Sequence, residues 1–377
     1  MFSIDRFGIA TPAVGRVLIA GCLLLTPSSV RAQAAPPDPA AIAQSYNATI
    51  GLIGGTSGST DAQIAADIAT VVDDAGKLRV LPMQGNGSIQ NIADLIYLKG
   101  VDVAIVHADA LAQTMQRNAI PKEGSVQYIA KLFEEEVHVL AAKNITSLDS
   151  LNGQPVNAGP SGSGTELTAS NVFSALHIQP SFQNDTDVRA LERLRHGEIA
   201  AMVVIGGTPV PLLQTLPPGT GLHFLPVPLN AQLVDLYLPT KLAYQQYPSL
   251  VGMDQAIDTV AVGSVLVTLA TPSDSLRAKR VNRFVDTLFS RFGKFSDPGF
   301  HPKWSVVNLF AQFPGWTRYP EAQTLLAKQD QNREANLRNA FDAYLTQTGQ
   351  TITDLSNERQ QALFRDFLRW RERHAGP

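Results

Sequence analysis

The sequence has a single cysteine, Cys22, in a chain of 377 residues. One cysteine cannot form an intramolecular disulfide, and Cys22 lies in an N-terminal stretch that we expect to be removed on export. The remaining chain can then hold neither a thiolate metal site nor a cysteine nucleophile. Freedom from cysteine suits an oxidising compartment such as the periplasm.

Apolar runs long enough to cross a membrane are also lacking. Val17–Leu25 is a nine-residue run, whereas a spanning helix needs about 20 residues. Arg6 and Arg16 flank its start, and Ala32-Gln33-Ala34 supplies the small-x-small pattern of a cleavage site. These features predict a signal peptide over residues 1–34, cleavage after Ala34 and a periplasmic location.

Lipid anchoring at Cys22 is the alternative for this N-terminal segment. Ile19-Ala20-Gly21-Cys22 has the form of a lipidation box, and an acylated cysteine would tether the protein to a membrane. The apolar run continues past Cys22, however, which leaves only Val17–Gly21 as the apolar part of the signal. We therefore favour the cleaved, unanchored form.

Excess positive charge is absent too. Residues 1–34 contain three arginines and one aspartate, so their removal changes the net charge from −3 to −5. Proteins that bind nucleic acids usually present a basic surface. The charge therefore argues against a nucleic-acid partner.

Patterns that mark catalysis or a metal centre are missing. The seven histidines form no His-Glu-x-x-His sequence and no close pairs. Glu134-Glu135-Glu136 is predicted to be a solvated run of charge beside a strand. We expect no catalytic residue, no metal and no cofactor, and hence a protein that is not an enzyme.

Strands and helices alternate along the chain from Thr49 to about Pro320. Unbroken apolar strands followed by helices predict a parallel sheet covered on both faces. The fold class is therefore α/β, with two α/β lobes, the second inserted into the first, joined by hinge crossings near Val137–Ala142 and His223–Pro228. The predicted division of the chain is a signal peptide (1–34), a linker (35–48), lobe 1 (49–136 and 226–320), lobe 2 (137–225) and a C-terminal helical extension (321–377).

The helical extension alternates apolar residues with many arginines and glutamines. Its final helix is predicted to pack on the body as an amphipathic helix or to fray beside it. Contact with a partner or a membrane is the alternative, although Glu358, Asp366 and Glu372 dilute the positive charge.

One glycine-rich loop, Gly159–Thr165, carries the clearest functional signal. It follows a strand and opens a helix, so free backbone N–H groups and the helix dipole favour a bound anion. It is not a phosphate loop, because Thr165-Glu166 replaces the required Lys-Ser/Thr. It is not a nucleophile elbow either, because Ser163 replaces the closing glycine. An ordinary N-capped helix remains the alternative.

Two further loops have the same setting. Gly54–Thr60 lies between a strand and the first helix, and Gln84–Ser88 lies before the second, with Asn91 one turn further on. His107 ends a buried strand, where its side chain either reaches a cleft or caps the next helix. In open α/β sheets, ligands bind at the carboxyl ends of the strands, so each lobe is predicted to offer a cradle of N–H groups.

These loops, in this order, resemble the TAXI family of solute receptors for tripartite ATP-independent periplasmic (TRAP) transporters. The resemblance rests on Ile53–Thr56, Gln84–Ser88, Val101–Val106, Val137–Val139, Gly159–Glu166 and Gly197–Ala201 with Gly206–Pro209. It implies a periplasmic-binding-protein fold of type II, a small and typically carboxylate-bearing solute held between the lobes, and delivery to a TRAP-type permease. The ligand contacts it implies, to which we add His107, are Gly55, Thr56, Ser57, Gly58, Ser88, Asn91, Ser161, Gly162, Ser163, Gly164, Thr165, Gly206, Gly207 and Thr208.

The first loop departs from that family, since Ser57–Asp61 stands where an aromatic pair and a proline are usual, and His107 stands where relatives often have glutamine. Two other functions share the fold. The protein could present a solute to a membrane signalling receptor, or be an enzyme like the thiamine-pyrimidine synthases, which the signal peptide and the missing metal pattern argue against.

Overall fold

A computed structural model describes residues 47–74, 76–120, 124–348 and 356–374. The predicted signal peptide, Cys22 and nearly all of the predicted linker lie outside the described residues. No helix among the described residues is long and apolar enough to cross a membrane.

Three parallel strands and three helices form the first half of the fold. The strands pair in the order β2-β1-β3. β1 and β3 are buried on both faces because helices cover the sheet, whereas the edge strand β2 leaves Leu81 40% exposed. Helix α1 begins where Ser59 accepts a hydrogen bond from the Ala62 N–H (3.2 Å), a typical N-cap. The elements are β1 (Thr49–Ile53), α1 (Thr60–Val72), β2 (Arg79–Met83), α2 (Ser88–Tyr97), β3 (Val103–His107) and α3 (Ala108–Gln116).

A second parallel set repeats this arrangement. Its strands pair in the order β7-β5-β6, and helix α4 begins at the N-cap Ser163, whose side chain accepts from the Glu166 N–H (3.1 Å). We call this set the second half. Its elements are β5 (Pro155–Asn157), α4 (Gly164–Ala175), β6 (Ser181–Gln183), α5 (Asp187–Arg195), β7 (Ala201–Gly206) and α6 (Pro211–Gln214).

Two long antiparallel strands connect the halves. β4 (Val126–Ala141) and β10 (Ala256–Leu269) pair with each other; β10 also pairs with β3, and β4 with β7, so one sheet runs through the molecule. β4 contains most of the predicted crossing Val137–Ala142. Two smaller strands, β8 (His223–Phe224) and β9 (Tyr237–Ala243), pair with β4 and β10 respectively.

The return crossing lies later in the chain than predicted. His223–Phe224 pairs with the end of β4 that belongs to the second half. Leu233 and Tyr237 pack in the same core as Val137, and Tyr247 packs with the helix residues of α5. The chain therefore returns through β10, not at His223–Pro228, because the segment before β10 buries its apolar residues against the second half. The other lobe boundaries stay a prediction.

Helix α7 (Leu276–Ser290) covers the first half, followed by two short 3₁₀ segments, Phe292–Ser296 and Pro302–Val306. The core beneath them includes Phe284, Phe295 and Trp304. Trp304 stacks on Phe295 with ring centroids 3.8 Å apart and donates from its indole N–H to Asp67 (2.8 Å). This packing fixes the turn that carries Lys303.

The C-terminal extension forms two helices, α8 (Pro320–Thr348) and α9 (Asn357–His374). The start of α8 packs on the body through Ala322 and Leu326. Further along, Tyr344 and Leu345 pack with Phe367 of α9 in a separate small core. The final helix α9, which was predicted to pack on the body or to fray beside it, packs against α8 instead, and the beginning of the extension is the part that packs on the body.

The predicted fold class is confirmed: two α/β halves, two crossings between them and a helical C-terminal extension.

Candidate functional site

The helix-opening loops of the two halves meet directly. A Cβ atom on Gly87, before α2, would lie 2.3 Å from the Gly162 carbonyl oxygen and 2.6 Å from the Ser163 Cα, before α4. A Cβ on Gly164 would lie 2.9 Å from the His107 ring. The structure therefore brings together the loops that the sequence predicted would form one site, with no room between their backbones at these points.

Hydrogen bonds also cross between the halves. The Gly207 N–H donates to the Thr60 hydroxyl (3.0 Å). Asp109, in α3 of the first half, accepts from the hydroxyls of Thr168 in α4 (2.7 Å) and Tyr237 in β9 (2.9 Å). Since these bonds are buried, they stabilise the closed arrangement of the halves.

Ser88 and Asn91 hold the first half's loops in place. The Ser88 hydroxyl accepts from the His107 N–H (3.0 Å), and the Asn91 amide donates to the carbonyls of Gly54 (2.7 Å) and Ile105 (3.1 Å). Asn91 is 1% exposed, and no described group hydrogen-bonds to its Oδ1. The side chains of Ser88 and Asn91 therefore hydrogen-bond to backbone groups of the first half. The Asn91 Oδ1 remains an acceptor with no donor among the described residues.

In the second half's loop, Gly159–Thr165, one backbone N–H group is already hydrogen-bonded to a carboxylate of the same half. Glu166 accepts from the Gly162 N–H (2.6 Å) and from Asn184 (2.9 Å). With the N-cap Ser163, this is a variant of the capping box. The Gly162 N–H is thus occupied, while the N–H groups of Gly164 and Thr165, in the first turn, lie outside the helix's own hydrogen bonds.

Other predicted ligand contacts lie at the solvent-exposed edge of these loops. Ser57, Gly58, Ser161 and Gly162 are exposed. An open groove of about 850 Å³ runs along this edge, lined by both halves. Its lining includes Thr56, Asn86, Arg117, Ser161, Ser163 and Glu166.

A group of buried charges lies beneath the loops, and no motif in the sequence predicts it. Glu135 and Glu136 are 2% and 5% exposed, so the prediction of a solvated Glu134–Glu136 run is wrong for these two. Glu136 accepts from Lys303 Nζ and from the Thr208 N–H (2.9 Å). The strand alternation of β4, within a sheet covered on both faces, places these carboxylates inside.

His107 belongs to this group and does not cap α3. Its Nε2 lies 2.8 Å from Glu135 Oε2 and 3.4 Å from Asp61 Oδ2, and its side chain makes no cap hydrogen bond. Burial alone would lower the pKa of His107, but hydrogen bonds and the charges of Asp61 and Glu135 raise it well above its usual value. We call Asp61, His107 and Glu135 the buried triad.

His138 supports the Gly206–Pro209 loop from behind. Its Nε2 accepts from the Tyr247 hydroxyl (2.8 Å), and that hydroxyl accepts from the Val210 N–H (2.8 Å). The Nδ1–H then donates to the Val204 carbonyl (3.2 Å). This chain of bonds requires a neutral imidazole, and burial lowers the pKa of His138 to about 4.

Stability should therefore fall between pH 6.5 and pH 4. In the unfolded chain His138 takes up a proton below about pH 6.5, while the folded protein resists it until about pH 4. The stabilisation is complete above pH 6.5, and about 3 kcal/mol is lost as the pH falls through this window. Denaturant unfolding at pH 7 and pH 4.5 should show a smaller loss in His138→Gln than in the unsubstituted protein.

An NMR titration of the His138 ring provides the direct measurement. A midpoint near 4 agrees with this account, whereas a midpoint near 6.5 contradicts it. Tyr247→Phe is the matched variant, because it removes the donor to Nε2 and should raise the midpoint.

Comparison with known proteins gives a family and several structures of low similarity. Residues 52–293 match the model of the NMT1-like family. Among solved structures, a periplasmic transporter is similar with a TM-score of 0.43 and 14% identity, over 66% of this chain and 84% of that one. The benzoate-bound BenM effector-binding domain is similar with a TM-score of 0.41 and 12% identity (72% and 98% covered). An L-arginine-bound amino acid ABC transporter substrate-binding protein from Streptococcus pneumoniae gives 0.40 and 16% (72% and 99%).

Proposed function

Because this chain belongs to the NMT1-like family, we propose that it is an exported solute-binding receptor of the periplasm. It encloses a small carboxylate-bearing metabolite between its two halves and delivers it to a TRAP-type membrane permease. The meeting of helix N-termini from opposite halves is the observation that carries this proposal.

The chemistry of these N-termini favours an anion. The first turns of α1, α2 and α4 each present backbone N–H groups that have no partner within their helix. The helix dipoles add partial positive charge at the same ends. A carboxylate captured there needs no arginine, and of the described arginines only Arg117 lines the groove along this edge.

Closure of the halves is the proposed mechanism. In the closed arrangement, loops of both halves are in van der Waals contact and the polar groups beneath are buried. Exclusion of water strengthens each hydrogen bond to a charged solute. The closed halves then form a single composite surface that the permease can distinguish from the open protein.

A thermal-shift screen tests this function. The protein expressed from the whole chain is mixed with mono- and dicarboxylates, amino acids and neutral sugars. A solute at 100 times its dissociation constant should add about 2.7 kcal/mol to the unfolding free energy, which raises the melting temperature by a few degrees. Shifts confined to carboxylate-bearing solutes support the proposal, and a response to neutral sugars alone contradicts it.

Thr165→Pro provides the matched variant for the binding site. Proline is tolerated in the first turn of a helix, so α4 should form normally without the Thr165 N–H. We expect affinity for the solute to fall at least about tenfold, since a hydrogen bond to a charged group contributes about 1.5–3 kcal/mol. Thr165→Ala, which keeps the N–H, should bind as before; equal affinity in both variants would place the anion elsewhere.

A further inference from the structure

The buried triad draws its side chains from three distant parts of the chain. Asp61 lies in the first turn of α1, His107 at the end of β3 and Glu135 in β4. Each offers one ligand atom, and these atoms lie within 4.8 Å of one another. The site is enclosed by protein, because the exposed fraction is 6% for Asp61, 5% for His107 and 2% for Glu135.

The triad has two carboxyl groups for one imidazole. When both carboxyl groups are ionised they carry two negative charges, and an imidazolium supplies only one positive charge. The neighbouring Glu136 and Lys303 pair with each other, so Lys303 does not make up the difference. A buried net charge is costly. A divalent ion with a neutral imidazole makes the triad neutral.

Glu135 also has a free ligand atom. Its Oε2 lies against His107, whereas no group in the described part of the chain hydrogen-bonds to its Oε1. A buried carboxylate oxygen with no donor is unusual.

The geometry points to a site for one divalent transition-metal ion, bound by Asp61, His107 and Glu135. Zinc lies about 2.0–2.2 Å from nitrogen and carboxylate ligands, which places tetrahedral ligand atoms roughly 3.3–3.5 Å apart. The Nε2 to Asp61 Oδ2 distance of 3.4 Å already fits. The Nε2 to Glu135 Oε2 distance of 2.8 Å must open by roughly 0.5 Å.

The ligand set also indicates which metals bind. One imidazole with two carboxylates suits Zn²⁺ and neighbouring transition metals better than Mg²⁺ or Ca²⁺, which prefer oxygen alone. With Nε2 on the ion, the His107 proton sits on Nδ1, next to Gly164 at the start of α4. The metal site itself does not depend on the proposed solute function.

Titration calorimetry with Zn²⁺ on the metal-stripped protein tests this site. We expect one ion per chain. Glu135→Gln and His107→Gln should each weaken binding at least about a hundredfold, because loss of even an outer-shell partner typically costs 10–100-fold. Glu135→Gln keeps the size of the side chain, so it serves if His107→Gln does not fold. Glu134→Gln, in the same strand but paired with Lys131, is the control and should bind Zn²⁺ normally.

Three results would overturn the proposal. The first is that the protein binds no stoichiometric ion, and the second is that Glu135→Gln and Glu134→Gln bind Zn²⁺ with equal affinity. The third is that Zn²⁺ does not bind, while an amine such as arginine binds and needs the triad residues to do so. Visible absorption of the Co²⁺-substituted protein, lost in Glu135→Gln, would support it independently. Solute binding with no metal would contradict the metal site alone, and metal binding with no solute would contradict the proposed function alone.

Discussion

Valine in place of Gly87 should abolish solute binding while both halves of the sheet stay folded. Gly87 has φ of 138°, and its Cβ would lie 2.3–2.8 Å from backbone atoms of Gly162 and Ser163. Backbone cannot rotate away as a side chain can, so the loops must separate by about 1 Å to reach ordinary contact. Closure is then blocked at the point where the solute is enclosed, and we expect affinity to fall at least about a hundredfold.

Two measurements check this result. Small-angle scattering should show that the Gly87→Val protein keeps its open dimensions when solute is added, and calorimetry should show no heat of binding. Gly299→Ala is the control, because Gly299 has φ of 105° but no atom within 4 Å of a Cβ. It carries the same type of backbone strain without the clash, so it should bind normally. Normal binding in Gly87→Val would refute the closed arrangement.

Alanine in place of Trp304 should cost about 4 kcal/mol of unfolding free energy. The indole is 4% exposed and stacks on Phe295, and truncation of buried tryptophan typically costs 3–5 kcal/mol. The change also removes the indole donor to Asp67, which is itself 3% exposed. Denaturant unfolding gives the free energy directly.

Trp304→Phe separates the two contributions. Phenylalanine keeps most of the apolar contact but not the N–H, and Asp67 still accepts from the His301 N–H (3.0 Å) and from Gln63 (2.9 Å). We expect a loss of about 1–2 kcal/mol, smaller than for alanine. Equal losses in both variants would mean that the hydrogen bond, not the packing, holds this turn.

The parallel parts of the fold were predictable from local pattern. Apolar periodicity predicts a helix over Asp61–Val72, and the structure has one over Thr60–Val72. The apolar run Ala200–Ile205 predicts a strand, and Ala201–Gly206 forms one. Buried parallel strands are short, apolar and bounded by glycine, so their sequence is distinctive. The return crossing was misplaced because polar residues and prolines interrupt the apolar residues before β10, and the partners of those apolar residues in the second half are far away in sequence.

Only part of the candidate site could be predicted from the sequence. Glycine-rich loops before helices stand out, and they do converge. The buried triad does not stand out, because Glu135 lies 28 residues from His107 and looks like surface charge within Glu134–Glu136. Only the pairing of β4 inside the sheet makes Glu135 a core residue. The hydrogen bond from the Gly162 N–H to Glu166 was also not predictable. It depends on side-chain geometry, which the spacing of these residues in the sequence does not specify.

The pairing of β4 with β10 shifts register between Gly263 and Val265, in the stretch where the sheet passes from one half to the other. A strand bends most easily at such an irregularity. Ser264 lies at this place, and its hydroxyl donates to Asp61 (3.0 Å). The irregular point of the sheet is therefore hydrogen-bonded to a residue of the buried triad. A ligand held by Asp61 is one hydrogen bond away from the place where the strand that links the two halves can bend.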